Sequence, residues 1–292
     1  MIETFLDYLR HERNYSLLTV QSYGRDLEEF QSYFESIDDG LSWWTVDHDV
    51  VRAWMEHLMD KGNRASSVNR KLSALRSFYK YSLTMGFCEK SPVHGIQGPK
   101  KDKPLPSFLR EREMDELLDE MVWEDDYKNV RARTLILTFY STGIRLSELM
   151  ALDDSSVDFS TCEMKVTGKR DKQRIIPFGE ELRDALKAYM ACRDENVTRE
   201  DNALFVSSKG ERMNRNQVRY EVSKFLAMVT TLKKHTPHVL RHTFATAMLN
   251  NEAGLESVKK LLGHESLTTT EVYTHATFEQ LKRVYNIAHP RA

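Results

Sequence analysis

A proline-rich segment in the N-terminal half of the chain most constrains how it can fold. Four of the seven prolines lie between Ser91 and Ser107, together with two glycines and several lysines. Proline lacks a backbone donor and restricts the residue before it, so such a segment is typical of a semi-extended linker. A chain of 292 residues is long enough for two cores. We therefore expect two domains, residues 1–96 and 108–292, joined by a linker over 97–107.

Apolar residues at helical spacing predict that residues 1–96 form an all-helical bundle. Asp47 is expected to cap the third helix, and Gly86 to end the fourth. The inward faces of the four helices are predicted to comprise Ile2, Phe5, Leu6 and Leu9; Tyr23, Leu27, Phe30 and Phe34; Val50, Val51, Trp54 and Leu58; and Val68, Leu72, Leu75 and Tyr79.

The rest of the chain predicts a mixed α/β domain, so that the fold class is mainly α. Helices are expected near Glu111 and Arg131, and the second of these should end at Gly143. β-branched residues between Val157 and Phe178 favour a small antiparallel sheet with a lysine-rich hairpin turn. Further predicted elements are helices Glu180–Cys192 and Asn214–Met228, a short strand Ala203–Ser207 between them, and helices beginning at Pro237, Leu255 and Thr268.

Composition excludes several classes of protein. No apolar run approaches the length of a membrane span, and the acidic, helical N-terminus is not a signal peptide. The three cysteines are too widely spaced for a metal box or a disulfide framework. We therefore expect a cytoplasmic protein with no membrane contact.

The net charge of −2 does not indicate a nucleic-acid binder, but the distribution of charge does. Acids outnumber bases over Met1–Asp60, and bases outnumber acids over Lys61–Lys103. Such asymmetry favours one-sided contact with a phosphate backbone, although a solvated basic face is the alternative. The predicted DNA contacts are Arg70, Arg76, Lys80, Lys100, Lys101, Arg215 and Arg219, the last two in a second basic group with Arg212 and Lys224.

Side chains suited to phosphate chemistry are concentrated between Thr236 and His275. His238 and Arg241 share one face of a helix, His264 follows a glycine that suits a left-handed cap, and Tyr273 comes shortly after. Arginine provides a fork of donors for phosphate oxygens, histidine can move a proton, and tyrosine can be a nucleophile if its neighbours assist its deprotonation.

Arg145 is predicted to lie in the first turn of a helix, where acids are normally preferred. A cation there favours an anion site; the alternative is an ion pair with Glu148 at i+3.

These motifs resemble those of the tyrosine recombinases of the integrase family, and most closely the Xer-type recombinases. The resemblance rests on TGIRLSEL, GKRDKQRIIP, HVLRHTFAT, LLGHESLTTTEVYTH and the terminal HPRA, and it extends over the whole chain. It implies a SAM-like, core-binding N-terminal domain and a catalytic C-terminal domain.

The resemblance also implies the role of each catalytic residue. Tyr273 is the nucleophile in a transesterification like that of type IB topoisomerases, and Arg145 and Arg241 bind the scissile phosphate. Lys169 protonates the leaving 5′ oxygen. His238 is the acid/base partner, and His264 is a second phosphate contact.

The lysine assignment has an alternative. Arg170 stands where the family usually has glycine, so Lys172 remains a second candidate for the leaving-group acid.

No metal or cofactor is expected. His238 and His242 have a spacing that can hold zinc, but the residues between them include no glutamate base, and Arg241 would repel a cation.

By resemblance, the implied partner is a double-stranded DNA recombination site, bound by a tetramer that contains a second Xer-type recombinase. The implied reaction passes through a 3′-phosphotyrosyl link and a Holliday junction. Its expected role is chromosome dimer resolution at cell division, with activation by a cell-division DNA translocase. The alternatives are a mobile-element integrase or invertase with the same chemistry, and a non-catalytic architectural DNA-binding protein.

Overall fold

The computed structural model describes residues 1–101, 107–168, 171–263 and 275–292, with side chains described from Phe278 onward in the last range. Within the chain, Met1–Pro104 and Leu105–Ala292 form two compact units, here the N-terminal and the C-terminal unit. None of the helices in these ranges is long and apolar enough to span a membrane.

The N-terminal unit is a helical bundle. Its helices are α1 (Ile2–His11), α2 (Leu17–Ile37), α3 (His48–Asp60) and α4 (Ala65–Thr84). Asp47 caps α3 as predicted, because its Oδ1 accepts hydrogen bonds from the N–H groups of Asp49 and Val50. The core is rich in aromatic rings, and Phe30 contacts both Trp43 and Trp54.

The segment after α4 packs on the bundle. Val93 and Ile96 are buried in its core. The Asn69 side chain donates to the carbonyl of Pro99 at 2.8 Å, and the Arg76 guanidinium donates to that of Ile96. Ordered contacts with the bundle therefore reach Pro99. Residues 102–106, within the predicted linker, lie outside the described ranges.

The C-terminal unit surrounds α6 (Tyr127–Thr142), which is buried on nearly every side and packs against α8 and α10. The helices of this unit are α5 (Glu111–Asp115), continued by a π-helical turn (Glu116–Glu120), α6, α7 (Leu146–Met150), α8 (Glu180–Asn196), α9 (Arg215–Val229), α10 (Pro237–Asn250), α11 (Leu255–Leu262) and α12 (His275–Ala288).

A small antiparallel sheet lies in the C-terminal unit, as predicted. It comprises β1 (Val157–Asp158), β2 (Glu163–Thr167) and β3 (Gln173–Pro177). In the β2–β3 hairpin Thr167 pairs with Gln173. The predicted strand at Ala203–Ser207 is wrong, because Ala203 and Val206 each form only a single bridge.

The C-terminal helix α12 packs on its own unit. Leu281 and Tyr285 are buried in one cluster with Phe244, Met248 and Leu261. The residues that follow are also fixed. His289 stacks on Tyr285, and its Nε2 donates to the carbonyl of Tyr140 at 3.1 Å while Nδ1 accepts from the N–H of Arg291. Arg291 in turn forms ion pairs with Asp115, Asp119 and Glu181.

Candidate active site

The candidate arginines meet at two sharp backbone turns, here called corners, each formed by a glycine at the end of a helix. Gly143 ends α6 and Gly263 ends α11, both in the left-handed conformation, with φ of +58° and +65°. A Cβ at Gly143 would lie 2.5 Å from the ring of Phe244, so glycine is also required there sterically. The last carbonyls of a helix have no partner within the helix. The two corners therefore present free acceptors to nearby arginines.

Arg145 follows the first of these corners. It is the N-cap of α7, one residue before the helix, and not within the first turn as predicted. Its N–H donates to Glu148 Oε2 at 2.8 Å, its Nη1 donates to Glu148 Oε1 at 2.8 Å, and its Nη2 donates to the carbonyl of Gly263 at 2.7 Å. The pairing with Glu148 that was considered as an alternative therefore exists. The side chain remains 34% exposed, so an anion can still reach it.

Arg241 approaches the same corners from α10. Its guanidinium donates to the carbonyl of Gly143 and, at 2.7 Å, to that of Leu262. The residue is buried, and this burial together with the neighbouring charges of Arg145 and Arg174 lowers its pKa from 12.5 to about 10. Arg145 and Arg241, here called the arginine pair, are thus close enough to repel each other. An anion between them would relieve that repulsion.

Glu148 is the carboxylate at the centre of these contacts and is only 1% exposed. Besides Arg145 it binds Arg174 of β3, whose Nη1 and Nη2 donate to its two oxygens at 2.6 and 2.9 Å. Burial alone would raise the pKa of Glu148, but the hydrogen bonds and charge of Arg174, with those of Arg145, lower it from 4.5 to about 2. Glu148 is therefore ionised across the physiological range.

His238 lies in the first turn of α10, one residue after Pro237. The predicted start of this helix is confirmed at Pro237, but Thr236 makes no side-chain capping bond. The pKa of His238 is lowered by partial burial and then by the charges of His242, Arg241, Arg219 and Arg215. A neutral imidazole beside arginines can accept a proton near pH 7.

Two of the predicted DNA contacts lie on α9. Arg215 and Arg219 are exposed on α9, and their positive charges contribute to the lowered pKa of His238. Arg212, from the same basic group, has a different role. Its guanidinium donates to Asp153 and Asp201 and to the carbonyls of Met150 and Leu152, so it fixes the end of α7.

The predicted DNA contacts in the N-terminal unit differ in their exposure to solvent and in their bonds to the bundle. Lys80, Lys100 and Lys101 are exposed. Arg70 is 44% exposed, but it pairs with Asp26, whose side chain is 3% exposed. Arg76 donates to the carbonyl of Ile96. The outer face of α4 therefore also holds the bundle together, which its helical periodicity did not indicate.

Three predicted site residues, Lys169, His264 and Tyr273, lie outside the described residues, as does the helix predicted at Thr268. Gly168 and Lys172, which lie on either side of residues 169–170 in the sequence, are joined, since the N–H of Gly168 donates to the carbonyl of Lys172 at 2.8 Å. Among the described residues, no three His, Cys, Asp or Glu side chains are grouped to hold a metal ion.

Comparisons with known proteins agree over the whole length of the chain. The model of the phage integrase family matches residues 107–280, and that of the phage integrase N-terminal SAM-like domain matches residues 2–86. The tyrosine recombinase XerC of Pelotomaculum thermopropionicum is 38% identical, over 100% of this chain and 98% of its own length. The chain belongs to the phage integrase family.

Other tyrosine recombinases extend this result. The XerC of Staphylococcus saprophyticus is 38% identical, over 99% of this chain and 97% of its own. Among solved structures, the XerH site-specific recombinase in its post-cleavage complex with a palindromic difH substrate has a TM-score of 0.73 at 23% identity, covering 98% of this chain and 84% of that one. The predicted fold class is confirmed.

Membership in this family also establishes the class of reaction. The chain is a tyrosine recombinase, an enzyme that cleaves and rejoins DNA through a tyrosine intermediate. The predicted family and enzyme class are therefore confirmed.

Sequence reasoning missed one residue that contacts this site, Arg174, and the burial of Glu148. A signal was present, because Arg174 occupies an inward position of β3 between the exposed residues Gln173 and Ile175. A charged side chain at the buried position of an alternating strand requires a partner.

Proposed function

We propose that Tyr273 is the nucleophile, that Arg145 and Arg241 bind the scissile phosphate, and that this recombinase acts at a chromosomal site to resolve chromosome dimers at cell division. The observation that carries the proposal is the arginine pair. Two guanidinium groups converge on the corners at Gly143 and Gly263, and His238 lies beside them.

The arginine pair suits the transition state of phosphodiester cleavage. In that step negative charge develops on the non-bridging oxygens, and donors held in place beforehand stabilise it most. Part of each guanidinium group is already fixed, that of Arg241 on two backbone carbonyls and that of Arg145 on one carbonyl and one carboxylate. These contacts orient the remaining donors.

Each phosphate ester bond that the proposed reaction breaks is replaced by another phosphate ester bond. The Tyr273 hydroxyl gives its proton to His238, and its oxygen attacks the phosphorus. The bond to the 5′ oxygen breaks, and Lys169, or Lys172 in its place, protonates that oxygen; His264 contacts the phosphate. The 5′ hydroxyl of a partner strand then gives its proton to the neutral lysine and attacks the phosphorus of the 3′-phosphotyrosyl link. The bond to the Tyr273 oxygen breaks, His238 returns the proton to that oxygen, and the strands rejoin without a cofactor.

The described tyrosines of the C-terminal unit support Tyr273 by comparison. Tyr140, Tyr189 and Tyr285 are buried, which raises the pKa of each and makes their hydroxyls poor nucleophiles. Tyr127 is buried and donates to the carbonyl of Val206. Tyr220 is 71% exposed, and it is therefore the rival to exclude by experiment.

DNA binding is proposed for both units. The N-terminal unit would act as a core-binding domain through Arg70, Arg76, Lys80, Lys100 and Lys101, and α9 would contribute Arg215 and Arg219. Lysine and arginine contacts to phosphates supply most of the non-specific affinity. The assembly is proposed to be a cytoplasmic tetramer on two sites, which contains a second Xer-type recombinase and is activated by a DNA translocase.

Covalent trapping tests the function. DNA that is trapped on the protein in cells identifies the site, and a nicked duplex of that site then serves as a suicide substrate. Wild type and Tyr220→Phe should form a denaturant-resistant adduct, whereas Tyr273→Phe should bind the same DNA without forming one. An adduct on Tyr273→Phe would overturn the assignment, and binding by the wild type without any adduct would favour an architectural protein. Trapping at the ends of a mobile element would replace the chromosomal role.

A further inference from the structure

Arg174 is a buried arginine outside the set proposed to touch the phosphate. Its side chain is 7% exposed, and all three of its nitrogens donate. Two of them bind the two oxygens of Glu148 at 2.6 and 2.9 Å, and Nε binds the carbonyl of Leu261 at 3.0 Å. Its only described ionic partner is Glu148, which is itself fully enclosed.

Glu148 and the two residues after Leu261 hold the members of the arginine pair. Glu148 accepts both the backbone N–H and the Nη1 of Arg145. The residues just after Leu261 provide the carbonyls that orient the guanidinium groups, Leu262 for Arg241 and Gly263 for Arg145. Arg174 is therefore linked to Arg145 through Glu148, and through the backbone of Leu261 to the carbonyls that orient both arginines.

The hairpin that carries Arg174 also touches this network. A Cβ at Gly168, the residue before Lys169, would lie 3.2 Å from Glu148 Oε1, and a Cβ at Gly263 would lie 3.1 Å from Arg174 Cδ. Both glycines therefore permit a close approach around the Glu148–Arg174 pair. The backbone that enters the turn at Gly168 is thus packed against Glu148, the carboxylate that holds Arg145.

Stability alone is a weak reason for this arrangement. Burying an arginine and a carboxylate removes both from water, and well-packed apolar residues often replace such a pair without loss of stability. A planar guanidinium that binds a carboxylate by two parallel bonds does, however, fix orientation in a way that apolar side chains cannot.

We infer that Arg174 is a positioning residue of this recombinase: it holds Glu148 and the Leu261–Gly263 turn so that Arg145 and Arg241 are oriented on the scissile phosphate. The inference rests on the proposed function of the arginine pair. Because the residue acts through others, its loss should slow cleavage while leaving DNA affinity nearly unchanged. Misplacing a catalytic group by about 1 Å can cost roughly 10²-fold in rate.

The test compares single-turnover cleavage of the nicked substrate by wild type, Arg174→Gln and Arg174→Lys, with the protein saturated by DNA. Arg174→Gln should cleave roughly 10- to 100-fold more slowly, and Arg174→Lys, which keeps the charge but not the fork, should fall between it and wild type. Arg193→Gln is the matched control. Arg193 is likewise buried, and two hydrogen bonds join it to the carboxylate of Asp154. None of these bonds involves a residue that holds Arg145 or Arg241. Arg193→Gln should cleave at the wild-type rate per folded molecule.

A second substrate separates positioning from general damage. A methylphosphonate at the scissile position carries no negative charge, so it needs less help from the arginine pair. The deficit of Arg174→Gln should shrink to within about threefold of wild type on this substrate, because the variant lacks oriented charge and little else. A partly unfolded variant would instead be equally slow on both substrates.

A double variant keeps the inference falsifiable if Arg174→Gln does not fold. Arg174→Met with Glu148→Leu removes the charges together and should remain folded, yet it should cleave as slowly as Arg174→Gln. Wild-type rates in the double variant or in Arg174→Gln would overturn the inference, as would an equal deficit on both substrates. Failure of wild type to cleave would instead refute the proposed function.

Discussion

Replacing Glu148 by glutamine tests the electrostatics of the site through folding stability. In the folded state the pKa of Glu148 is lowered from 4.5 to about 2. A group with a lowered pKa stabilises the folded state above its unfolded pKa, and this stabilisation is lost as the pH falls through the folded pKa. The shift corresponds to about 3 kcal/mol at pH 7. Removing one partner of a buried ion pair is expected to cost a similar amount, roughly 3–5 kcal/mol.

The difference between wild type and Glu148→Gln should therefore depend on pH. We expect a loss of about 3 kcal/mol in the free energy of unfolding at pH 7, smaller by about 1 kcal/mol at pH 4 and by roughly 2 kcal/mol at pH 3. Urea unfolding, monitored by ¹⁹F NMR of 5-fluorotryptophan, measures this difference in the free energy of unfolding. Three of the four tryptophans lie in the N-terminal unit, so the resonance of Trp123 reports on the C-terminal unit.

Glu180→Gln is the matched control for this measurement. Glu180 also pairs with an arginine in the same unit, Arg183, but its side chain is 81% exposed. Exposed pairs of this kind contribute little to stability, so the control should unfold as wild type does. A difference for Glu148→Gln that stays constant between pH 7 and pH 3, or that is below about 1 kcal/mol at pH 7, would refute the reasoning.

Three further predictions concern separate parts of the molecule. Arg241→Ala should lower the single-turnover cleavage rate by at least about 10²-fold. A substrate with a 5′-bridging phosphorothiolate, whose sulfur leaves without protonation, should restore cleavage by Lys169→Ala but not by Arg241→Ala. Restored cleavage in both variants would contradict the assignment. Burial lowers the pKa of His289 from 6.5 to about 4, so the folded state around it loses stability as the pH falls from about 6.5 towards 4. Hydrogen-exchange protection factors of the C-terminal residues, which are corrected for the intrinsic exchange rate at each pH, should therefore fall over that range, and protection factors independent of pH would refute this. In DNA titrations, Lys80→Ala should reduce the slope of log affinity against log salt concentration by the amount of about one phosphate contact. Arg70→Ala should have the same effect and should also lower the melting temperature, because it leaves the buried Asp26 with one partner fewer.

Much of the architecture could be predicted because it depends on local chemistry. Asp47 caps α3, and Gly143 and Gly263 end their helices in the left-handed conformation, each as expected from the residue alone. The single bridges at Ala203 and Val206 were misread as a strand, since β-branched and aromatic content does not reveal whether a pairing partner continues.

The support of the site could not be predicted, because it depends on contacts distant in sequence. The sequence indicates Glu148 only as a neighbour of Arg145, three residues away, whereas its second partner, Arg174, lies on another element, β3. The sequence predicts Arg70 as a DNA contact, but it also forms an ion pair with Asp26 of α2. Helical periodicity shows which face a residue occupies and not which charge meets it from a neighbouring element.

Mapping the covalent adduct tests the central claim most directly. Wild-type protein is trapped on the nicked substrate, the DNA is digested to a short remnant, and the tryptic peptides are sequenced by mass spectrometry. A phosphotyrosyl remnant is expected on Tyr273, in the peptide that runs from Leu261 to Lys282. A remnant on Tyr220, or on any other residue, would contradict the account.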